Sequence, residues 1–234
     1  MLLTLPVREV FPATPRARVV RLDLGGRFYS YLPGQAVLVA THGLAVRRPY
    51  SVAAAPADAD RDGWLELLVG VDEDGAAGPH LSLALGALVD VEGPVGSFTF
   101  PADPEEQNLV FIAGGTGIAP VRAMLRHALC LPNRDRTIGV LYSARTPDEF
   151  AYEAELTTFA REGRIELRQT VTRDITATWS GARGRFGRPA LQQLIHHPET
   201  LCFVCGPPAL VDEVQKLLEE LGVARQRIRI EEWG

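Results

Sequence analysis

Three glycines around one threonine carry the strongest chemical signal in the chain. In FIAGGTGIAPVRAML, residues 111–125, Gly114, Gly115, Thr116 and Gly117 follow the apolar run NLVFIAG and lead into IAPVRAMLRHALC, whose apolar residues recur at helical spacing. A glycine turn between a buried strand and a helix lets backbone N–H groups approach a pyrophosphate at the helix N-terminus. Pro120 takes the place of the last glycine of G-x-G-x-x-G and sits in the first helical turn, where a missing N–H costs nothing. The pattern therefore differs from the ordinary dehydrogenase fingerprint.

A second group lies in RRPYS, residues 47–51. Arg48 offers a planar fork to a phosphate, Tyr50, after Pro49, presents a flat face to a ring system, and Ser51 offers a hydroxyl to a heterocycle nitrogen. Standing alone, such a run could simply begin a strand. GPVGSF (residues 93–98) and CGPPALVDEV (residues 205–214) place Gly and Pro where the backbone must turn sharply, and the second opens a helix at the end of a strand.

The elements that must position these groups fall into two halves. Up to about residue 101, short β-rich runs alternate with Gly and Pro: LLTLPVREVF, ARVVRLDL, QAVLVA, PYSVAAA, WLELLVGV, ALVDVEG and SFTF. This spacing predicts an antiparallel barrel with a single short helix, from Pro79 through HLSLAL. PADPEEQ reads as a linker. From residue 106 to 234 strands and helices alternate: NLVFIAG, IAPVRAMLRHALC, TIGVLYSA, PDEFAYEAELTTFAREG, RIELRQTVT, PALQQLIHH, TLCFVCG, PALVDEVQKLLEELG and RIRIEEW. That order predicts an α/β doubly wound parallel-sheet domain, which binds ligands beyond the carboxyl ends of its strands. His196 and His197, before Pro198, are expected to cap a helix C-terminus.

Composition narrows the partners. A net charge of -5 opposes a nucleic-acid surface. Lys216 is the only lysine, so the many arginines reflect composition as much as phosphate recognition. No stretch reaches the roughly 18 to 20 apolar residues of a membrane helix, and the expected location is the cytoplasm. Cys130, Cys202 and Cys205 form no disulfide framework. Cys202 and Cys205 lie three apart in an apolar strand, so they point to opposite faces and suit no metal.

Taken together and in order, these residues resemble the ferredoxin-NADP reductase family. The resemblance runs from Pro33-Gly34-Gln35 through Arg48-Pro49-Tyr50-Ser51, Gly93-Pro94, Gly96 and Phe98, the Gly114 to Pro120 turn and Cys205-Gly206-Pro207-Pro208 to Glu231 and Trp233. It implies an FAD-binding β-barrel (residues 1–101) followed by an NAD(P)-binding α/β domain (residues 106–234). It further implies that Arg48 holds the flavin pyrophosphate, Tyr50 packs on the flavin and Ser51 bonds near flavin N5. Gly114, Gly115, Thr116, Gly117 and Pro120 would form the dinucleotide pyrophosphate turn. Cys205, with Gly206 and Pro207, would lie beside the nicotinamide C4, Glu231 would set protons and charge there, and Trp233 would stand where relatives carry a terminal aromatic over the flavin. In relatives a G-x-x-S segment starts a small helix under the flavin pyrophosphate; here Gly75, Ala76, Ala77 and Gly78 put glycine at the serine position. Backbone N–H groups would bind that phosphate without the hydroxyl, holding the flavin less tightly.

The implied activity takes a hydride from NADPH or NADH onto FAD, which requires the donor and acceptor atoms about 3 to 3.5 Å apart. Ser143 and Arg145 follow the second strand of the α/β half without a carboxylate at the strand tip, and Arg173 and Arg185 could join Arg145 around a 2'-phosphate. This favours NADPH slightly, although Asp148 lies close by. The chain lacks the plant-type C-x4-C-x2-C cluster pattern, so electrons would leave from the flavin itself. The expected acceptor is a one-electron carrier such as ferredoxin, flavodoxin or an oxygenase component. The alternatives are a free flavin, quinone or iron-chelate reductase, an electron-transfer subunit of a larger complex, or a nucleotide sensor without turnover.

Overall fold

The structure, a computed structural model, describes residues 1–132, 136–173 and 179–233. They form two compact units: Met1–Phe100 with Arg122–Cys130, and Pro101–Val121 with Leu131–Gly234.

The first unit holds β1 (Leu2–Thr14), β2 (Ala17–Asp23), β3 (Ala36–Thr41), β4 (Arg48–Ser51), α1 (Pro56–Asp62), β5 (Trp64–Gly70) and β6 (Leu88–Val95). Its strands pair antiparallel in the order β4-β3-β6-β1-β2-β5. A bridge between Val52 and Leu67, with the Ala53 N–H donating to the Glu66 carbonyl at 2.8 Å, joins the two edge strands and closes the barrel. Period-two alternation fills the interior: Leu65, Leu67 and Val69 of β5 meet Val20, Leu22, Val37, Val39, Val89 and Val91.

One expectation fails here. No helix runs from Pro79 through HLSLAL; residues 71–87 form turns and irregular backbone. Gly78 (φ 89) and Gly86 (φ 77) bracket the segment in left-handed conformations. The His80 carbonyl accepts from the Thr41 N–H at 2.9 Å and the Ser82 N–H donates to Thr41 Oγ1 at 2.7 Å, so β3 takes groups a helix would use. The helix of this half is α1 instead, with Pro56 in its first turn and Gly63 (φ 77) closing it. SFTF forms no strand either.

The second unit holds β7 (Asn108–Gly114), α2 (Ile118–Cys130), β8 (Thr137–Ala144), α3 (Glu153–Arg161), β9 (Glu166–Val171), β10 (Ala182–Arg183), α4 (Arg188–Gln192), β11 (Leu201–Gly206), α5 (Pro208–Glu220) and β12 (Ile228–Glu232). From Arg122 onward, α2 groups with the first unit. All six strands are parallel, ordered β10-β9-β8-β7-β11-β12. The direction of winding reverses between β7 and β11, and a doubly wound sheet opens its ligand crevice at such a point. Val110, Ile112, Cys202 and Val204 pack with α4 and α5, whereas Phe111 and Phe203 stack 5.1 Å apart, placing neighbouring residues on opposite faces.

The helical reading of residues 147–163 is interrupted. A 3-10 turn, Pro147–Glu149, precedes α3, with Tyr152 (φ 59) between them. Because α4 ends at Gln192, His196 and His197 lie beyond it and cap no helix; the His197 carbonyl accepts from the Thr200 N–H at 3.0 Å in a turn.

Candidate functional site

In the first unit the candidate groups gather on β4. Arg48 and Pro49 are exposed, Tyr50 is half-buried and Ser51 is buried. Pairing of Ala36 with Ser51 and Val37 with Tyr50 fixes which way each side chain faces. The Ser51 hydroxyl is fully enclosed and has no hydrogen-bond partner among the described residues. A buried hydroxyl left unpaired is destabilising, and a ligand that hydrogen-bonded to Ser51 would remove that cost. Tyr50 Oη lies 2.9 Å from His80 Nε2, and the two rings stack 6.0 Å apart at 11°. Burial raises the Tyr50 phenol above its ordinary range against the opposing effect of Arg48; burial, then Arg48, lowers the His80 imidazole.

Gly75 (φ 80), Ala77 and Gly78 (φ 89) form the turn that leads to His80, and Ala77 packs against the barrel core. The helix N-terminus expected to serve a phosphate here is absent, because Pro79 starts no helix. The N–H groups of Ala77, Gly78 and His80 nevertheless donate to no other described residue. His80 was not singled out from the sequence. It lies thirty positions from Tyr50, and only barrel closure brings them together.

In the second unit the switch point brings the two glycine motifs into contact. A Cβ on Gly117 would fall 2.4 Å from the Cys205 carbonyl, and one on Gly114 would meet Leu210 at 2.9 Å and Pro207 at 3.1 Å. These two glycines let the β7–α2 turn close onto the end of β11. Gly115 (φ 55) instead faces open space and, with Thr116, is exposed, so it is the turn's accessible part. Pro120 is buried within α2. Tyr142 holds the turn from beneath: its hydroxyl donates to the Gly115 carbonyl at 3.1 Å and accepts from the Ala151 N–H at 3.2 Å. No sequence signal points to this role, since Tyr142 reads only as an apolar strand residue.

Beside the turn, Cys205 pairs with Glu231 across β11 and β12. Cys205 Sγ lies 3.9 Å from Glu231 Oε2 and accepts the Trp233 indole N–H at 3.0 Å. Burial and then the Glu231 charge push the Cys205 thiol far up, so it stays protonated. Trp233 is further fixed by its N–H donating to the Gly206 carbonyl at 3.0 Å. Arg145 and Arg173 follow adjacent strands, and the Arg173 N–H donates to the Arg145 carbonyl at 2.8 Å. Both side chains are exposed and have no ion pair among the described residues. Ser143 is buried, and Arg185 pairs with Glu213 on α5 at 3.4 Å. No group of metal-ligating side chains occurs among the described residues, and no helix there is long and apolar enough to cross a membrane.

Comparison with known proteins matches two stretches of the chain to two domains. Residues 6–100 match the oxidoreductase FAD-binding domain and residues 111–216 the oxidoreductase NAD-binding domain. The chain is 32% identical to ferredoxin-NADP reductase B of Sorangium cellulosum, covering 97% of this chain and 94% of that one. It is 27% identical to cytochrome b5 reductase 4 of Danio rerio over 93% of this chain, but spans only 44% of the fish protein. Among solved structures, the ferredoxin reductase in carbazole 1,9a-dioxygenase aligns with a TM-score of 0.82 at 26% identity, covering all of this chain and 70% of that one. Amycolatopsis cytochrome P450 reductase GcoB aligns at 0.83 and 28% identity, over 99% and 70% of the two chains. With both domains matched in order on the fold that carries them, this chain belongs to the ferredoxin-NADP reductase family of FAD- and NAD(P)-binding oxidoreductases.

Proposed function

We propose that this protein takes a hydride from NADPH onto FAD held by residues 1–101 and delivers the electrons to a one-electron carrier protein. The observation that carries the reading is the enclosed, unpartnered Ser51 hydroxyl at the end of the strand that also presents Arg48 and Tyr50. FAD, when bound, accepts electrons as a pair and releases them singly. In this reading Arg48 neutralises the flavin diphosphate, Tyr50 supplies an apolar face and Ser51 donates to the flavin ring. Residues 106–234 hold the dinucleotide, with the Gly115 and Thr116 backbone at its diphosphate. Cys205 offers a neutral, buried contact surface to the nicotinamide, and burial, reinforced by the Glu231 charge, keeps that thiol protonated. Trp233, held on the Cys205 sulfur, lies in the same place and must give way to any ring that takes it.

Arg145 and Arg173 support NADPH as donor, because they are exposed guanidinium groups at adjacent strand ends with no ion pair among the described residues. Arg185, tied to Glu213, contributes less. The carrier is of the ferredoxin, flavodoxin or oxygenase-component class; the relatives named for ferredoxin, cytochrome P450 and a dioxygenase support that choice. Three free thiols, two of them buried, suit the reducing cytoplasm. Anaerobic stopped-flow reduction of the flavin by each dinucleotide tests the reading. NADPH should reduce it faster than NADH, and Arg145→Ala should raise the NADPH concentration needed about tenfold while leaving NADH unaffected. A tenfold preference for NADH in the native protein would reverse the donor assignment.

A further inference from the structure

Position 78 lacks the hydroxyl that the flavin diphosphate would meet in a G-x-x-S segment, and the backbone explains why. At φ 89 Gly78 occupies a region that a serine adopts only with strain. A donor for that phosphate must come from elsewhere. The nearest candidate fills the adjacent space: a Cβ built on Gly78 would lie 3.6 Å from His80 Nδ1.

His80 is unusual in three respects. It is buried, with a residual exposure of 6%. Its Nε2 is committed to the Tyr50 hydroxyl at 2.9 Å. Its Nδ1 is buried with no hydrogen-bond partner among the described residues. The Arg48 charge also reaches both rings, placing the imidazole within the field of the phosphate-binding guanidinium. A phenol donates readily to an imidazole nitrogen, and a neutral imidazole that accepts at Nε2 carries its proton on Nδ1. The hydroxyl of Tyr50 thereby sets which nitrogen of His80 can donate.

We propose that His80 replaces the absent serine: Tyr50 Oη–H donates to Nε2, and the resulting Nδ1–H is the side-chain donor to the flavin diphosphate. The assignment rests on the FAD reading above and adds a binding residue to it. The unbonded N–H groups of Ala77, Gly78 and His80 lie on the same turn and extend the donor set, while Pro79 contributes none.

The two ring nitrogens can be separated by substitution. The amide of an asparagine reproduces a donor near Nδ1, and that of a glutamine reproduces one near Nε2. Apo-protein titrated with FAD, followed by quenching of flavin fluorescence, should show His80→Gln weakened by about tenfold or more and His80→Asn within about threefold of native. With riboflavin, which has no phosphate, native and His80→Gln proteins should bind alike. Far-ultraviolet circular dichroism confirms that each variant is folded. In the native protein, nitrogen-15 spectra of the imidazole should show Nδ1 protonated and its resonance moved by FAD but not by riboflavin, a readout independent of either variant's folding. Equal losses in both variants, an equal effect on riboflavin, or an Nδ1 signal indifferent to FAD would each overturn the assignment. Native protein that takes up no FAD would sink the underlying reading, whereas native uptake with an unmoved His80→Gln variant would sink the His80 assignment alone.

Discussion

A side-chain hydroxyl enclosed by protein and bonded to nothing costs about 1–3 kcal/mol until something meets it. Ser51 is in that position, so replacing it separates stability from function. Ser51→Ala should leave the apo-protein as stable as native or slightly more stable, while slowing flavin reduction by NADPH about tenfold or more. Thermal unfolding of the apo-protein and stopped-flow reduction of the reconstituted protein are the two measurements, and a variant that unfolds earlier yet reduces normally would show Ser51 to be a structural residue. Much of this site was legible as residues because Arg48, Pro49, Tyr50 and Ser51 are consecutive on one strand. His80 and Tyr142 were not. Each acts through a partner far away in sequence, Tyr50 for one and Gly115 for the other, and the turn or strand around it shows nothing distinctive.

Elements were legible where burial imposes a period and illegible where single hydrogen bonds decide. The strands β7, β8 and β11 are continuous apolar runs, and α2 carries a helical repeat. The seven residues of α1, PADADRD, bury only Asp58 and Ala59, too few to leave a pattern. HLSLAL has an apolar spacing that two left-handed glycines and the bonds to Thr41 override. Within the first unit α1 is held to α2 by Asp58, whose carboxylate accepts Arg126 Nη2 at 2.9 Å, while Arg61 lies 2.9 Å away. Burial alone would raise the Asp58 carboxyl, but Arg126 and Arg61 outweigh it and hold the carboxyl below its ordinary value. A group with a depressed folded pKa contributes stability above its unfolded value, about 3.9, and loses it as pH falls through the lower folded value. The isosteric Asp58→Asn should therefore cost about 1–3 kcal/mol at pH 7, and the gap from native should close at acid pH, once the carboxyl is protonated in the folded as well as the unfolded state. Urea unfolding at both pH values measures it; a gap of the same size at each would remove charge from the explanation.

At the scale of the whole molecule, each unit has its own sheet and its own buried cluster, and each presents its candidate groups on a different set of segments. Those of the first lie on residues 48–51 and 75–81, and those of the second on residues 113–120, 143–145, 171–173, 205–208 and 231–233, together with Arg185. A ligand that binds the folded state raises the free energy of local and global opening by RT ln(1 + [L]/Kd), about 2.7 kcal/mol at a hundredfold excess over Kd. Local openings slow most where the ligand itself touches the backbone. Hydrogen exchange followed by mass spectrometry can therefore assign the two cofactors separately. FAD added to apo-protein should slow exchange most in peptides covering residues 48–51 and 75–81. NADP+ should slow it most in those covering residues 113–118 and 205–208, with the segments around Arg145 and Arg173 protected more by NADP+ than by NAD+. The last difference isolates the 2'-phosphate, since the two dinucleotides are otherwise identical. If FAD instead protected the Gly114–Gly117 turn most strongly, the assignment of flavin to the barrel would fail, whatever the catalytic rates showed.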